Sequence, residues 1–264
     1  MFDKRYFYLV KLQYLGFRFH GWQKQPNLLT VERMVQRTLK FILERNNFKI
    51  LPAGRTDAKV SVNQTYMSLF VDDEPLKLEG FLDLFNENLP QDIRVLSIVP
   101  TEKDLNIIQH PKVKEYLYLF SFGSKNHPFS APFMIHFRGA LNIELMTEAA
   151  QLFEGEHDFR NFAYKANENT QTVLTVDHCV IERNTEFTAN FFPDESFLLR
   201  VRGAGFKRHQ IRLMMGALVD VGRGDLHLDD FKRAIAADPK IKLDHIAQAS
   251  GLILNRVNLL DGNQ

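Results

Sequence analysis

Apolar residues recur along this chain with two periods, and the switches between them mark out its elements. Tyr6 to Tyr14 is dense in aromatic and aliphatic residues and reads as a strand. Gly21 to Asn27 is a loop, and Thr30 stands where a helix N-cap belongs. Val31, Met34, Val35, Leu39 and Ile42 follow at helical spacing. Phe48 to Ala53 and Gln64 to Val71 read as strands. Pro75 opens a second helix with Leu78, Phe81, Leu82 and Phe85 on its apolar face. Leu89-Pro90 ends that helix, and Ile93 to Val99 is a strand again. The order strand–helix–strand, strand–helix–strand predicts a ferredoxin-like or RRM-like sandwich, with helices on one face of an antiparallel sheet.

The second half follows a similar plan. Val113 to Phe122, Thr172 to Ile181, Ser196 to Arg202 and Leu252 to Val257 read as strands. Ile143 to Phe153, Phe206 to Val221 and Leu228 to Ala237 read as helices. The expected fold is therefore α+β. Two such halves share a mixed, mainly antiparallel sheet with helices packed on one side. The boundary is placed near Asp104, giving an N-terminal domain over 1–104 and a C-terminal domain over 105–264. No residue-level repeat accompanies the shared plan.

Composition narrows the function classes. Of 264 residues, 45% are hydrophobic and 25% charged, as in ordinary globular proteins. No apolar run approaches the roughly 20 residues of a membrane span. The opening Met1-Phe2-Asp3-Lys4-Arg5-Tyr6 lacks a signal-peptide core. One cysteine, Cys179, leaves neither a disulfide framework nor a Cys-rich zinc site, so a cytoplasmic location is expected. The formal net charge of +1 does not advertise a nucleic-acid binder, so any basic footprint must be local.

Such a footprint exists. Arg200, Arg202, Lys207, Arg208, His209 and Arg212 form the densest basic cluster, on a strand, a Gly203-Ala204-Gly205 turn and the start of a helix. It suits phosphates; it could instead be a solvated face neutralised by Asp220 and Asp225. Arg212, set between Ile211 and Leu213, is expected to be partly buried and to want a carboxylate. Gly54-Arg55-Thr56-Asp57 puts a carboxylate beside an arginine on a loop at a strand end. That arrangement is either catalytic or a surface turn in which Asp57 caps its own backbone. Lys114-Glu115-Tyr116-Leu117-Tyr118 sets two tyrosines on one strand face, either as core packing, which the spacing favours, or as stacking platforms for bases. His157-Asp158 has no further ligand at metal spacing and reads as packing.

In order along nearly the whole chain, these segments resemble the TruA-type tRNA pseudouridine synthase family. The resemblance rests on Gly21-Trp22-Gln23-Lys24-Gln25, Ala53-Gly54-Arg55-Thr56-Asp57-Ala58, Asn88-Leu89-Pro90-Gln91-Asp92-Ile93 and Lys114 to Tyr118. It continues in Phe153 to Phe162, Gly205 to Arg212 with Gly216 and Val221-Gly222, and Gly251 to Leu254. It implies that Asp57 is the catalytic carboxylate, that Arg55 fills the space of an extruded base, that Tyr116 stacks on the target uracil and that Arg212 pairs with Asp57. It further implies an RNA-binding cleft, a homodimer, tRNA as partner with its anticodon stem-loop as the modified region, and neither cofactor nor metal. Two departures stand out. Lys59-Val60-Ser61-Val62 replaces the Gly-Val-His-Ala that usually follows the Gly-Arg-Thr-Asp-Ala segment, and Ile108 replaces an arginine. Glycine at position 59 would allow backbone shapes that lysine resists. The altered loop keeps open a second expectation, a non-catalytic tRNA-binding paralogue acting as an RNA chaperone. A glycosidic hydrolase would need a second paired acid, and none is evident for Asp57.

Overall fold

The computed structural model describes residues 4–102, 105–110 and 112–260. The boundary expected near Asp104, like the Met1–Asp3 start, lies outside them. The chain divides into two compact units, Met1–Pro111 with Arg256–Gln264, and Lys112–Asn255.

The first unit runs β1 (Arg5–Tyr14), α1 (Val31–Leu43), β2 (Phe48–Pro52), β3 (Ser61–Asp72), α2 (Phe81–Asn88) and β4 (Ile93–Pro100). β1 lies antiparallel between β3 and β4, and β2 pairs antiparallel with the other side of β3. The fourth strand is next to the first, the first to the third, and the third to the second. That is the ferredoxin-like order the alternation predicted. Tyr8, Val10, Leu12 and Tyr14 alternate into the core from β1. Val31, Val35 and Leu39 of α1 and Phe81 and Phe85 of α2 supply apolar faces against the sheet. Thr30 caps α1 as expected, its side chain accepting from Arg33 N–H at 3.4 Å. The second helix starts at Phe81, not Pro75. Gly80 enters it in a left-handed conformation (φ 70°), and upstream the Leu76 N–H is taken by the Tyr8 hydroxyl at 2.8 Å instead of by a helical partner.

The second unit contains β5 (Lys112–Phe122), β6 (Ile135–Phe137), α3 (Ile143–Gln151), β7 (Gly155–Asp158), β8 (Val173–Arg183), β9 (Phe197–Gly203), α4 (Gln210–Arg223) and α5 (Leu228–Ile235). It takes the first half of β10 (Leu252–Leu259). The strand order is β10-β5-β9-β8-β7, with β6 parallel to β5. Apart from the short β6 and β7, this repeats the plan of the first unit. Its core includes a ring cluster of Phe153, Phe159, Phe162 and Phe231, with centroids 5.0 Å (Phe153–Phe162) and 5.1 Å (Phe153–Phe231) apart. That cluster accounts for the phenylalanines of the Phe153–Phe162 segment. His157 and Asp158 serve structure too. The His157 ring meets the Glu154 carbonyl at 2.9 Å, and Asp158 caps a single 3-10 turn at Phe159–Phe162. Cys179 is fully buried, and burial, with Glu154 adding to it, pushes its thiol pKa up.

The helix expected from Phe206 begins at Gln210. His209, in the left-handed region at φ 59°, blocks earlier helical continuation. Lys207 and Arg208 consequently sit in the preceding turn and not in the helix.

Candidate active-site loop and RNA-contact surface

In the first unit, β2 ends at Pro52 and the chain turns through Gly54-Arg55-Thr56-Asp57 before β3. A neighbouring segment clasps this loop. Gly21 adopts φ 84°, and a Cβ built there would sit 2.6 Å from the Thr56 carbonyl oxygen, so the two backbones approach too closely for any side chain. Trp22, its side chain buried, donates its backbone N–H to the same carbonyl at 3.2 Å. Tyr14 and Thr56 share a hydroxyl hydrogen bond of 2.8 Å. The exposed Arg55 donates to the Gln23 side chain at 2.5 Å. The Gly21-Trp22-Gln23 signature thus has a mechanical meaning: space, anchor and side-chain bond for the loop that holds Asp57. The Asp92 segment is tied to the chain just before the clasp, its carbonyl accepting the Leu15 N–H at 2.9 Å. Its carboxylate forms a two-bond ion pair with Arg18, whose guanidinium lies 4.9 Å from the Phe19 ring centroid.

The loop's departures are visible in the same geometry. Lys59 occupies φ 68°, the left-handed region that glycine adopts at no steric cost. The N–H of Lys59 bonds the Phe19 carbonyl at 3.0 Å, so this backbone shape is fixed by a neighbour. Ser61 accepts the Gly16 N–H at 2.9 Å. Asp57 itself is half-buried.

In the second unit, the two tyrosines of β5 part company. Tyr118 is fully buried and donates its hydroxyl to the Gln248 carbonyl at 2.7 Å. Tyr116 stays half-buried, with the Phe206 ring edge-on at 5.4 Å. Packing thus takes Tyr118, and Tyr116 keeps a partly accessible ring. Arg212 is half-buried on α4. Its Nε donates to the Ala247 carbonyl at 2.7 Å, and the Ala247 N–H returns a bond to the Arg212 carbonyl at 3.1 Å. Gly216, one turn on, makes room for this crossing segment, since a Cβ there would collide with the His245 carbonyl.

The basic cluster separates into two groups. Arg200 is only 16% exposed and is surrounded by Glu115 (3.2 Å), Glu182 (2.7 Å) and Glu186. Burial opposes its charge, but the glutamates prevail and raise its pKa. Glu115 also accepts from Asn255 at 2.7 Å and lies 4.0 Å from Arg202. Arg208, by contrast, is exposed and places its guanidinium 5.2 Å from the Tyr164 ring centroid. Lys165 sits 5.3 Å from the same centroid, and the His209 ring lies 4.6 Å away, tilted by 31°. Lys207 is half-buried beside them, its N–H bonded to the Gln210 side chain at 2.8 Å. Tyr164 and Lys165 are not legible from the chain as neighbours of Arg208, because they stand more than forty positions from it. A Tyr-Lys pair one residue beyond the Phe153–Phe162 segment is the available signal.

Among the described residues, no group of three or more His, Cys, Asp or Glu side chains could hold a metal ion, and no helix is long and apolar enough to cross a membrane.

The sequence is similar to those of known proteins. The family model described as tRNA pseudouridine synthase matches residues 149–258. A tRNA pseudouridine synthase A of Pseudothermotoga lettingae is 33% identical over 255 residues, covering 95% of this chain and 98% of its own. The enzyme of the same name from Thermosipho melanesiensis is 32% identical over 250 residues, with 95% and 98% coverage. That of Shouchella clausii is 30% identical over 249 residues, with 94% and 91% coverage. At this identity and coverage, the chain belongs to the tRNA pseudouridine synthase A family of isomerases.

Proposed function

We propose that this protein isomerises uridine to pseudouridine in the anticodon stem-loop of tRNA, in the cytoplasm and as a homodimer, with Asp57 as the essential carboxylate. In the reaction the C1′–N1 bond breaks, the uracil turns, and C5 joins C1′. The C5 hydrogen leaves as a proton and N1 gains one, so no oxidant or transferred group is required. The observation that carries this reading is the clasp of Gly21, Trp22 and Gln23 around the Asp57 loop, in a chain of this family. A reacting carboxylate needs a fixed position, and a loop fixed through its backbone provides one.

The remaining roles follow from chemistry. The target base must leave its stack, which costs a few kcal/mol unless another group fills the gap. Arg55 takes that space, and Tyr116 offers its ring to the extruded uracil. Arg212 supplies a cation to the reacting site. Lys207 and Arg208, with Arg202, meet phosphates. Pseudouridine mapping of total tRNA from cells lacking the protein tests the reading. Loss of pseudouridine confined to anticodon stem-loop positions supports it, and an unchanged map contradicts it. Sedimentation of the purified protein tests the dimer.

A further inference from the structure

The Tyr164 ring gathers two cations and an imidazole. Lys165 and Arg208 approach its centroid to 5.3 and 5.2 Å, and the His209 ring lies 4.6 Å away. The backbones are tied as well, since Tyr164 N–H bonds the Arg208 carbonyl at 3.1 Å. Two like charges around one ring repel each other, and the usual remedy is a carboxylate between them. Among the described residues, neither Lys165, Lys207 nor Arg208 forms an ion pair with Asp or Glu. Arg200, only a few residues upstream, is held by three glutamates. Lys165 and His209 are also both left-handed, at φ 55° and 59°, a conformation that persists in non-glycine residues only where the surroundings enforce it. Charge is thus concentrated and braced on an aromatic ring, and among the described residues Lys165 and Arg208 have no carboxylate partner.

We infer that Tyr164, Lys165, Lys207 and Arg208 form an RNA-phosphate clamp, in which Tyr164 braces Lys165 and Arg208, Lys207 adds charge from the same turn as Arg208, and the backbone of the bound RNA supplies the missing negative charge. The inference rests on the proposed tRNA substrate and adds Tyr164 and Lys165 to the groups that hold it. It also removes Arg200 from them: that side chain is committed to Glu115, Glu182 and Glu186. The physical logic is counter-ion release. Each phosphate neutralised by a fixed cation contributes about one unit to the slope of log affinity against log salt. A braced cation makes that contact with less loss of side-chain freedom than a freely moving one.

The test is tRNA binding by the full-length protein, measured by fluorescence anisotropy over a salt series, with tritium release from C5-labelled tRNA run in parallel. Lys165→Gln and Arg208→Gln should each lower the salt slope by about one unit, and the double variant by about two. Lys165→Arg should keep the wild-type slope. Tyr164→Leu should weaken binding, whereas Tyr164→Phe, which retains the ring, should bind as wild type does. Circular dichroism melts of each variant confirm that the fold is retained. Wild-type slopes in both Gln variants, with wild type binding and turning over tRNA normally, would overturn the clamp and leave the proposed function intact. A wild-type protein that neither binds nor modifies any tRNA would overturn the underlying reading instead.

Discussion

Two segments of this molecule, one in each unit, begin in the same way and end differently. Residues 53–60 leave strand β2, residues 204–209 leave strand β9, and each contains a non-glycine residue in the left-handed region, Lys59 at φ 68° and His209 at φ 59°. The first is gripped through its backbone: Gly21 lies against Thr56, Trp22 N–H bonds the Thr56 carbonyl, and Phe19 takes the Lys59 N–H. The second presents exposed or half-buried cations around an aromatic ring. The contrast matches what each is proposed to do. A group that reacts with one atom must be placed to within a fraction of an ångström, because a misplacement of about 1 Å can cost about 100-fold in rate. A phosphate contact needs charge and reach, and tolerates far looser placement.

Breaking the first grip should have the largest effect. Gly21→Ala forces a Cβ to within 2.6 Å of the Thr56 oxygen, at a φ that alanine disfavours. The loop must move, so turnover should fall about 100-fold or more, and stability by about 1–3 kcal/mol. Single-turnover rates and thermal melts check both. Arg208→Gln should leave the melting temperature unchanged, since that side chain is exposed and, among the described residues, forms no ion pair with a carboxylate.

Within β9 the comparison sharpens. Arg200→Met leaves Glu115, Glu182 and Glu186 clustered without their shared cation. Stability should drop by about 1–3 kcal/mol, discounted from a fully buried pair because two of the glutamates are well exposed. Denaturant unfolding measures this, and the salt slope of RNA binding should not change.

Lys59→Gly removes the strain of a left-handed lysine and should raise stability by about 0.5–1 kcal/mol in the same unfolding assay. A loss of stability would mean that the Lys59 side chain, 5.9 Å from the Phe17 ring, contributes more than its backbone costs.

The smallest effect is one of pH. Burial pushes the Lys114 pKa below 10.5, with Lys112 adding to it. A lysine depressed in the folded state binds fewer protons there than when unfolded, so stability rises with pH between the lowered value and 10.5. Lys114→Met should flatten that alkaline rise, seen by following unfolding free energy from neutral pH to pH about 11.

How far the sequence reveals these features depends on how local their causes are. The βαββαβ order of the first unit follows from alternation and helical spacing, and Thr30 marks the start of α1 in advance. The glycine preference at position 59 is readable because it concerns one residue's backbone. Helix starts differ from the expected ones where a left-handed residue, Gly80 or His209, interrupts an otherwise continuous apolar pattern. The short β6 and β7 carry too few residues to show a period. The division of the basic cluster could not be read from the chain, because the glutamates around Arg200 and the Tyr164–Lys165 pair beside Arg208 reach their arginines only through sheet pairing and turn packing. The same holds for the tyrosines of β5, where the Gln248 carbonyl, 130 residues on, separates Tyr118 from Tyr116.

The central claim, that the clasped loop carries the reacting carboxylate, is tested most directly by Asp57→Asn. The substitution keeps the size and most of the hydrogen-bonding capacity of the side chain and removes its charge. Tritium release from tRNA labelled at uracil C5 follows the reaction itself, since that hydrogen is lost when C5 joins the sugar. The wild-type protein should release tritium. Asp57→Asn should release none, while melting normally and binding tRNA with wild-type affinity, because affinity resides chiefly in phosphate contacts. Near-normal release by Asp57→Asn contradicts the assignment of Asp57, and no release by wild type from any tRNA favours the non-catalytic paralogue, with Lys59 and Ser61 the first positions to restore.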